Sequence, residues 1–155
     1  MTKIKFICCV LLVAVSPAFS QISDQGVLRD RIDMLISTHE ATVEGAPVAA
    51  IALIDELYHR RDYEPAWRDP AMVKQLFDQV LRSVDHGLDP EDYHVKQLGE
   101  RLNPGVPVND PMFRADTEIL CTDALARLAI TLRFGKLDPA DLDPAWNFSR
   151  ELERQ

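Results

Sequence analysis

Three groups of residues in this chain have types that can do chemistry. Cys121, in Ile119-Leu120-Cys121-Thr122-Asp123-Ala124, is a thiol. A catalytic thiol needs its pKa lowered by a helix N-terminus, a cation or a histidine partner. The apolar spacing around Cys121 places it about three turns into a helix, beyond the reach of the N-terminal dipole. The residue pattern therefore favours a small buried hydrophobe over a nucleophile.

Asp85-His86-Gly87-Leu88-Asp89-Pro90-Glu91-Asp92-Tyr93-His94 is the densest polar run and joins carboxylates to two imidazoles. It fails as a calcium loop: counted from Asp85, the third position is Gly87, the sixth is Pro90 and the twelfth is Lys96. It also lacks a helical His-x-x-x-His zinc pair. The run reads as a helix end, a tight turn and a new helix start capped by Asp89. Arg60-Arg61-Asp62-Tyr63-Glu64-Pro65-Ala66-Trp67 combines cations with aromatics, as recognition surfaces do. The structural reading is a chain reversal in which Tyr63 and Trp67 plug the space between helices; a ligand-facing patch is the alternative. No catalytic, cofactor or metal residue is assigned from these patterns.

The elements that must position these groups are helical. Asp-Pro occurs at Asp69-Pro70, Asp89-Pro90, Asp110-Pro111, Asp138-Pro139 and Asp143-Pro144. Asp caps a helix and Pro suits its first turn, so each pair predicts a start. Apolar residues recur at helical spacing in Leu28, Ile32, Leu35 and Ile36, and in Val48, Ile51, Ile54, Leu57 and Tyr58, entered through Pro47. A third stripe is Met72, Val73, Leu76, Phe77, Val80, Leu81 and Val84, closed by Gly87; Val95, Leu98 and Leu102 predict a shorter helix. Phe113, Ile119, Leu120, Leu125, Leu128, Ala129 and Leu132 predict a long central helix over about 111–134, ended by Gly135. No run alternates like a strand, so the expected fold is an all-α, single multi-helix bundle without repeats.

The first twenty residues read as an export signal: Lys3 and Lys5, the apolar run from Phe6 to Val15, then Pro17 and a cleavage site after Ser20. Ten apolar residues are too few to span a bilayer, which takes roughly twenty. Cys8 and Cys9 would leave with the signal, so the mature domain, 21–155, keeps Cys121 and has no internal disulfide. The whole chain carries a net charge of −8, and removing Lys3 and Lys5 leaves 15 basic against 25 acidic residues. Such acidity argues against nucleic acid or an anionic membrane surface as a partner.

Four blocks in order carry a family resemblance: Leu57 to Trp67, His86 to His94, Thr122-Asp123-Ala124-Leu125, and Phe134-Gly135-Lys136-Leu137-Asp138-Pro139 with Trp146-Asn147. Together they resemble the N-terminal helical scaffold domain of the large periplasmic murein L,D-transpeptidases. In that family a peptidoglycan-binding module and a catalytic domain follow, with a nucleophilic cysteine in a Ser-x-Gly-Cys-x-Arg context. The resemblance implies a periplasmic, cell-wall setting, but Cys121 does not match that context and takes no catalytic role from it. With the sequence ending at Gln155, the expectation is a non-enzymatic scaffold domain, as a truncated product or a separate subunit. Its expected partners are an L,D-transpeptidase catalytic domain or peptidoglycan, and no cofactor is expected. The alternative is a stand-alone periplasmic helical protein that binds wall fragments or a partner enzyme. A cysteine enzyme using Cys121 is the third reading.

Overall fold

The computed structural model describes residues 23–38 and 41–135. The expected signal at 1–20, the Asp138-Pro139 and Asp143-Pro144 starts, and Trp146 lie outside them. The described chain is mostly helical: α1 (Asp24–Ser37), a hairpin of β1 (Thr42–Val43) and β2 (Ala46–Pro47), α2 (Ile51–Arg60), α3 (Pro70–Arg82), α4 (Val95–Arg101) and α5 (Pro111–Phe134). Two single-turn 3-10 helices, Ser83–His86 and Pro90–Tyr93, bridge α3 to α4.

The Asp-Pro starts work as expected. Asp69, Asp89 and Asp110 each accept a hydrogen bond from the backbone N–H two residues on, at Ala71, Glu91 and Met112. Each is followed by Pro in the first turn, where a missing N–H costs nothing. Gly87 ends the α3 run in the left-handed region at φ 72°, where a side chain would be strained.

One boundary differs from the sequence reading. Pro47 does not open a helix; it lies in β2, and α2 begins at Ile51. The hairpin pairs Val43 with Ala46 across Glu44 and Gly45, both at positive φ, the two-residue geometry that matches strand twist. Two residues per strand are too few for any alternation to register in the sequence. Val48 is still buried, as the pattern required, but from the loop before the helix.

α5 is central, packing against α1, α2, α3, α4, β1 and the second 3-10 turn. It serves two apolar clusters. Ala115, Ile119 and Leu120 join Leu28, Ile32, Leu35, Val43, Ile54 and Tyr58 on one side. Cys121, Ala124 and Leu128 join Val73, Leu76, Val80, Tyr93 and Leu98 on the other. Burying each such Leu, Ile or Val contributes about 1.5–3 kcal/mol. Because neighbours surround α5 between Ala115 and Ala124, burial there is nearly continuous and not confined to one stripe. Beyond Leu128 the helix leaves the core, and Leu125 and Leu132, expected on the packed stripe, are 47% and 50% exposed. Ile36, Leu57, Met72, Leu81 and Val84 are likewise at the surface.

Candidate functional site

The buried stretch of α5 carries polar side chains between its two apolar clusters, and these form a seam. Burying a carboxylate is costly unless donors surround it. Glu118 meets that demand. Its Oε2 accepts from the Tyr58 hydroxyl at 2.6 Å and the Ala66 N–H at 2.7 Å, and its Oε1 accepts from the Trp67 N–H at 2.9 Å. Thr122 Oγ1, one turn on, accepts from the Trp67 indole at 3.0 Å and lies 3.1 Å from the Tyr58 hydroxyl. The seam therefore anchors the 63–69 connection to α5 through both backbone and side chain.

Asp123 is fully buried and does the same for two other elements. Its Oδ1 accepts from the Ala50 N–H at 2.6 Å, where α2 starts, and its Oδ2 lies 2.7 Å from Nε2 of His94. Arg127, one turn along α5, stands 3.5 Å from the same oxygen. His94 is in the left-handed region at φ 58°, at the entry of α4, so its imidazole bond fixes a strained turn against α5.

Beside the seam lies a cleft of about 710 Å³. Trp67, Val73, Leu102 and Phe113 supply apolar walls, and Arg101 and Arg114 supply charge. Arg101 is held rigidly: Glu44 binds both its terminal nitrogens at 2.9 Å, and Thr117 accepts from its Nε at 3.1 Å. Arg114 pairs with Asp24 and donates to the Val108 carbonyl, while its buried Nε has no hydrogen-bond partner. Among the described residues, no Cys, His or Ser lines this cleft. Arg101 and Arg114 are already paired with Glu44 and Asp24, and Asp24, Thr117 and Glu118 also line the cleft, so its charges are balanced and its free surface is mainly apolar.

A family model described as Scaffold domain matches residues 52–154. The chain belongs to the Scaffold domain family. No curated protein and no solved structure matches it. The match is to a Scaffold domain alone, with no catalytic family domain detected.

Within the Scaffold domain, the residues singled out from sequence are placed as follows. Cys121 is completely buried in the second apolar cluster. Burial pushes its thiol pKa up, and the neighbouring Glu118 charge pushes it further. The thiol therefore stays protonated, opposite to what a nucleophile requires. In the polar run, Asp89 caps its 3-10 turn as read, and Asp85, His86 and Glu91 are exposed. Among the described residues no cluster of three metal-ligating side chains exists.

The 60–67 segment reverses the chain through Asp62 and Tyr63, both at positive φ. Tyr63 packs against the first cluster with Arg29 over its ring, and Trp67 packs against the second. Arg60 pairs with Glu56, and Arg61 donates to the Glu64 carbonyl. Trp67 also lines the cleft, so this one residue has both the packing role and the ligand-facing position.

Sequence reasoning missed the seam itself. The sequence pattern does not single out Glu118, and it places His94 only within a turn. The available signal was a carboxylate on either side of the apolar run Ile119-Leu120-Cys121 in one helix. Charges so placed are either paired in the interior or mark a helix that is not fully wrapped.

Proposed function

We propose that this Scaffold domain is of the murein L,D-transpeptidase type, exported to the periplasm, where it supports peptidoglycan cross-linking without carrying the chemistry itself. The observation that carries the reading is the use made of the motif side chains. Tyr58, Trp67, His94, Thr122 and Asp123 come from three of the four blocks that resemble that family, and their polar atoms meet one another and Glu118 inside the fold. Side chains spent in this way hold elements together, and of these five Trp67 alone also lines the cleft. Thioester chemistry would need an activated thiolate beside a base and an oxyanion site, whereas Cys121 is sealed in apolar surroundings.

The test incubates the mature chain with tetrapeptide-containing muropeptides, alone and with an L,D-transpeptidase catalytic domain lacking its own scaffold. The expected result is no cross-linked dimer and no acylated Cys121 from the chain alone, and more cross-linking from the catalytic domain when the chain is present. A dimer made by the chain alone and lost in Cys121→Ala would overturn the reading. Export is tested by mass spectrometry of the periplasmic fraction, with a mature N-terminus expected at Gln21.

The cleft favours a second reading, a helical binding protein for wall fragments or a partner enzyme. Its size and apolar walls suit a small peptide. Titration of stem peptides against the mature chain separates the two, since the scaffold reading requires no binding there.

A further inference from the structure

The cleft beside the seam is bordered by the loop 103–110, which joins α4 to α5. Every residue of this loop is exposed except the half-buried Val106. Val108 lines the cleft and is nevertheless 57% exposed. A single exposed valine on a surface needs no explanation. One at the rim of an apolar cleft is different, because turning it inward would take its methyl groups out of water against Leu102 and Phe113.

The loop is built to turn as one piece. The Val108 N–H donates to the Val106 carbonyl at 2.8 Å and the Asp110 N–H to the Pro107 carbonyl at 2.8 Å, so its tip is folded on itself. Pro107 stiffens that tip by fixing its own φ. Gly105 supplies the joint: it sits at φ 89°, and no atom lies within 4 Å of where a side chain would begin. The far end is pinned, since the Asp110 side chain caps α5 at the Met112 N–H.

Among the described residues, one hydrogen bond ties the tip to the body, from Arg114 Nη1 to the Val108 carbonyl at 2.8 Å. Arg114 itself lines the cleft and pairs with Asp24, so this tether keeps the tip beside the mouth. Segments with exposed backbone and few buried contacts are the ones that move in the native state, and lids are drawn from them.

We propose that 103–110 is a lid, which pivots about Gly105 and seats Val108 over a small neutral molecule with apolar surface held in the cleft. Neutral, because Arg101 and Arg114 already have Glu44 and Asp24 as partners. The lid rests on the cleft-binding reading, and its test separates the two.

The experiment follows the full mature chain by NMR, free and with N-phenyl-1-naphthylamine, a neutral aromatic probe. In the free protein the amides of Val106, Val108 and Asn109 are expected to have order parameters clearly below the roughly 0.85 of a rigid backbone, and to reach that value when the probe saturates the cleft. The probe should show nuclear Overhauser contacts to Phe113, Leu102 and the Val108 methyl groups. Val108→Ser, at an exposed position, should keep the thermal midpoint and bind the probe roughly tenfold more weakly, through faster dissociation. Contacts to Phe113 and Leu102 but not to Val108 overturn the lid and leave the cleft a binding site. So does a loop as ordered as α5 in the free protein, or a Val108→Ser chain that binds like the parent. A probe that touches neither Phe113 nor Leu102 overturns the cleft-binding reading, and the lid with it.

Discussion

Asp123 and His94 are joined by a 2.7 Å bond from Oδ2 to Nε2 across 29 residues of sequence, with both side chains buried. The other Asp123 oxygen holds the Ala50 N–H, so one carboxylate ties the start of α2 and the start of α4 to α5. Removing it leaves a buried imidazole and a backbone donor without their acceptor. Asp123→Ala is expected to destabilise by about 2–6 kcal/mol, since each of the two buried partners left unsatisfied costs about 1–3 kcal/mol. Asp123→Asn keeps one acceptor for Ala50 and should cost less. Urea unfolding midpoints check both; equal midpoints for the parent and Asp123→Ala would remove the seam from the account of stability.

The Glu118 carboxylate is held differently, by one hydroxyl and two backbone N–H groups. Tyr58→Phe deletes only the hydroxyl and leaves the backbone donors in place, so the expected loss is about 1–2 kcal/mol. Glu118→Ala leaves the Ala66 and Trp67 N–H groups without an acceptor, while the Tyr58 hydroxyl keeps Thr122, and should cost more than twice as much. If the two variants unfold at the same midpoint, the backbone of Ala66 and Trp67 does not depend on Glu118.

Alkaline pH should weaken the fold, with a defined order of contributions. Burial and the Glu118 charge raise the Cys121 thiol above its ordinary value of 9.0, and burial followed by Glu118 raises the Tyr58 hydroxyl above 10.0. Above those ordinary values the unfolded chain releases protons that the native chain retains, so stability is complete below pH 9 and falls as pH rises. Cys121→Ala should flatten the part of the fall that begins near pH 9, and Tyr58→Phe the part that begins near pH 10. Unfolding midpoints between pH 7 and 11 test this; an unchanged slope in Cys121→Ala would mean that the thiol is not buried in solution.

How much of this was legible in the sequence depended on range. Asp69, Asp89 and Asp110 cap helices through bonds two residues long, so their meaning is local, and the bounds of α5 could be read from Pro111 and Gly135. The hairpin at 42–47 was also local, but each strand is too short for alternation to show. The seam is different in kind. Glu118 meets Ala66 and Trp67 across more than fifty residues, and Tyr58 across sixty, so no window along the chain contains both partners. Apolar spacing also overstated the packing of Leu125 and Leu132, because a stripe on a helix reports which face is apolar and not what stands opposite it.

Trp67 combines these levels in one residue, which makes it the sharpest probe. Its backbone N–H binds Glu118, its indole N–H binds Thr122 at 3.0 Å, and its ring packs on the second cluster while lining the cleft. Trp67→Phe keeps the backbone bond and most of the packing, and Thr122 retains Tyr58 as a partner, so the expected loss is about 1 kcal/mol. Trp67→Ala also removes the ring. Full burial would put that loss at about 3–5 kcal/mol; because the ring is only partly buried, about 3 kcal/mol is expected. That is a large share of the roughly 5–15 kcal/mol that holds a domain together. Thermal and urea midpoints of the two variants should therefore differ clearly. An unchanged midpoint in Trp67→Ala would mean that the ring serves a ligand and not the core, and stem-peptide binding to the cleft would then be the property lost.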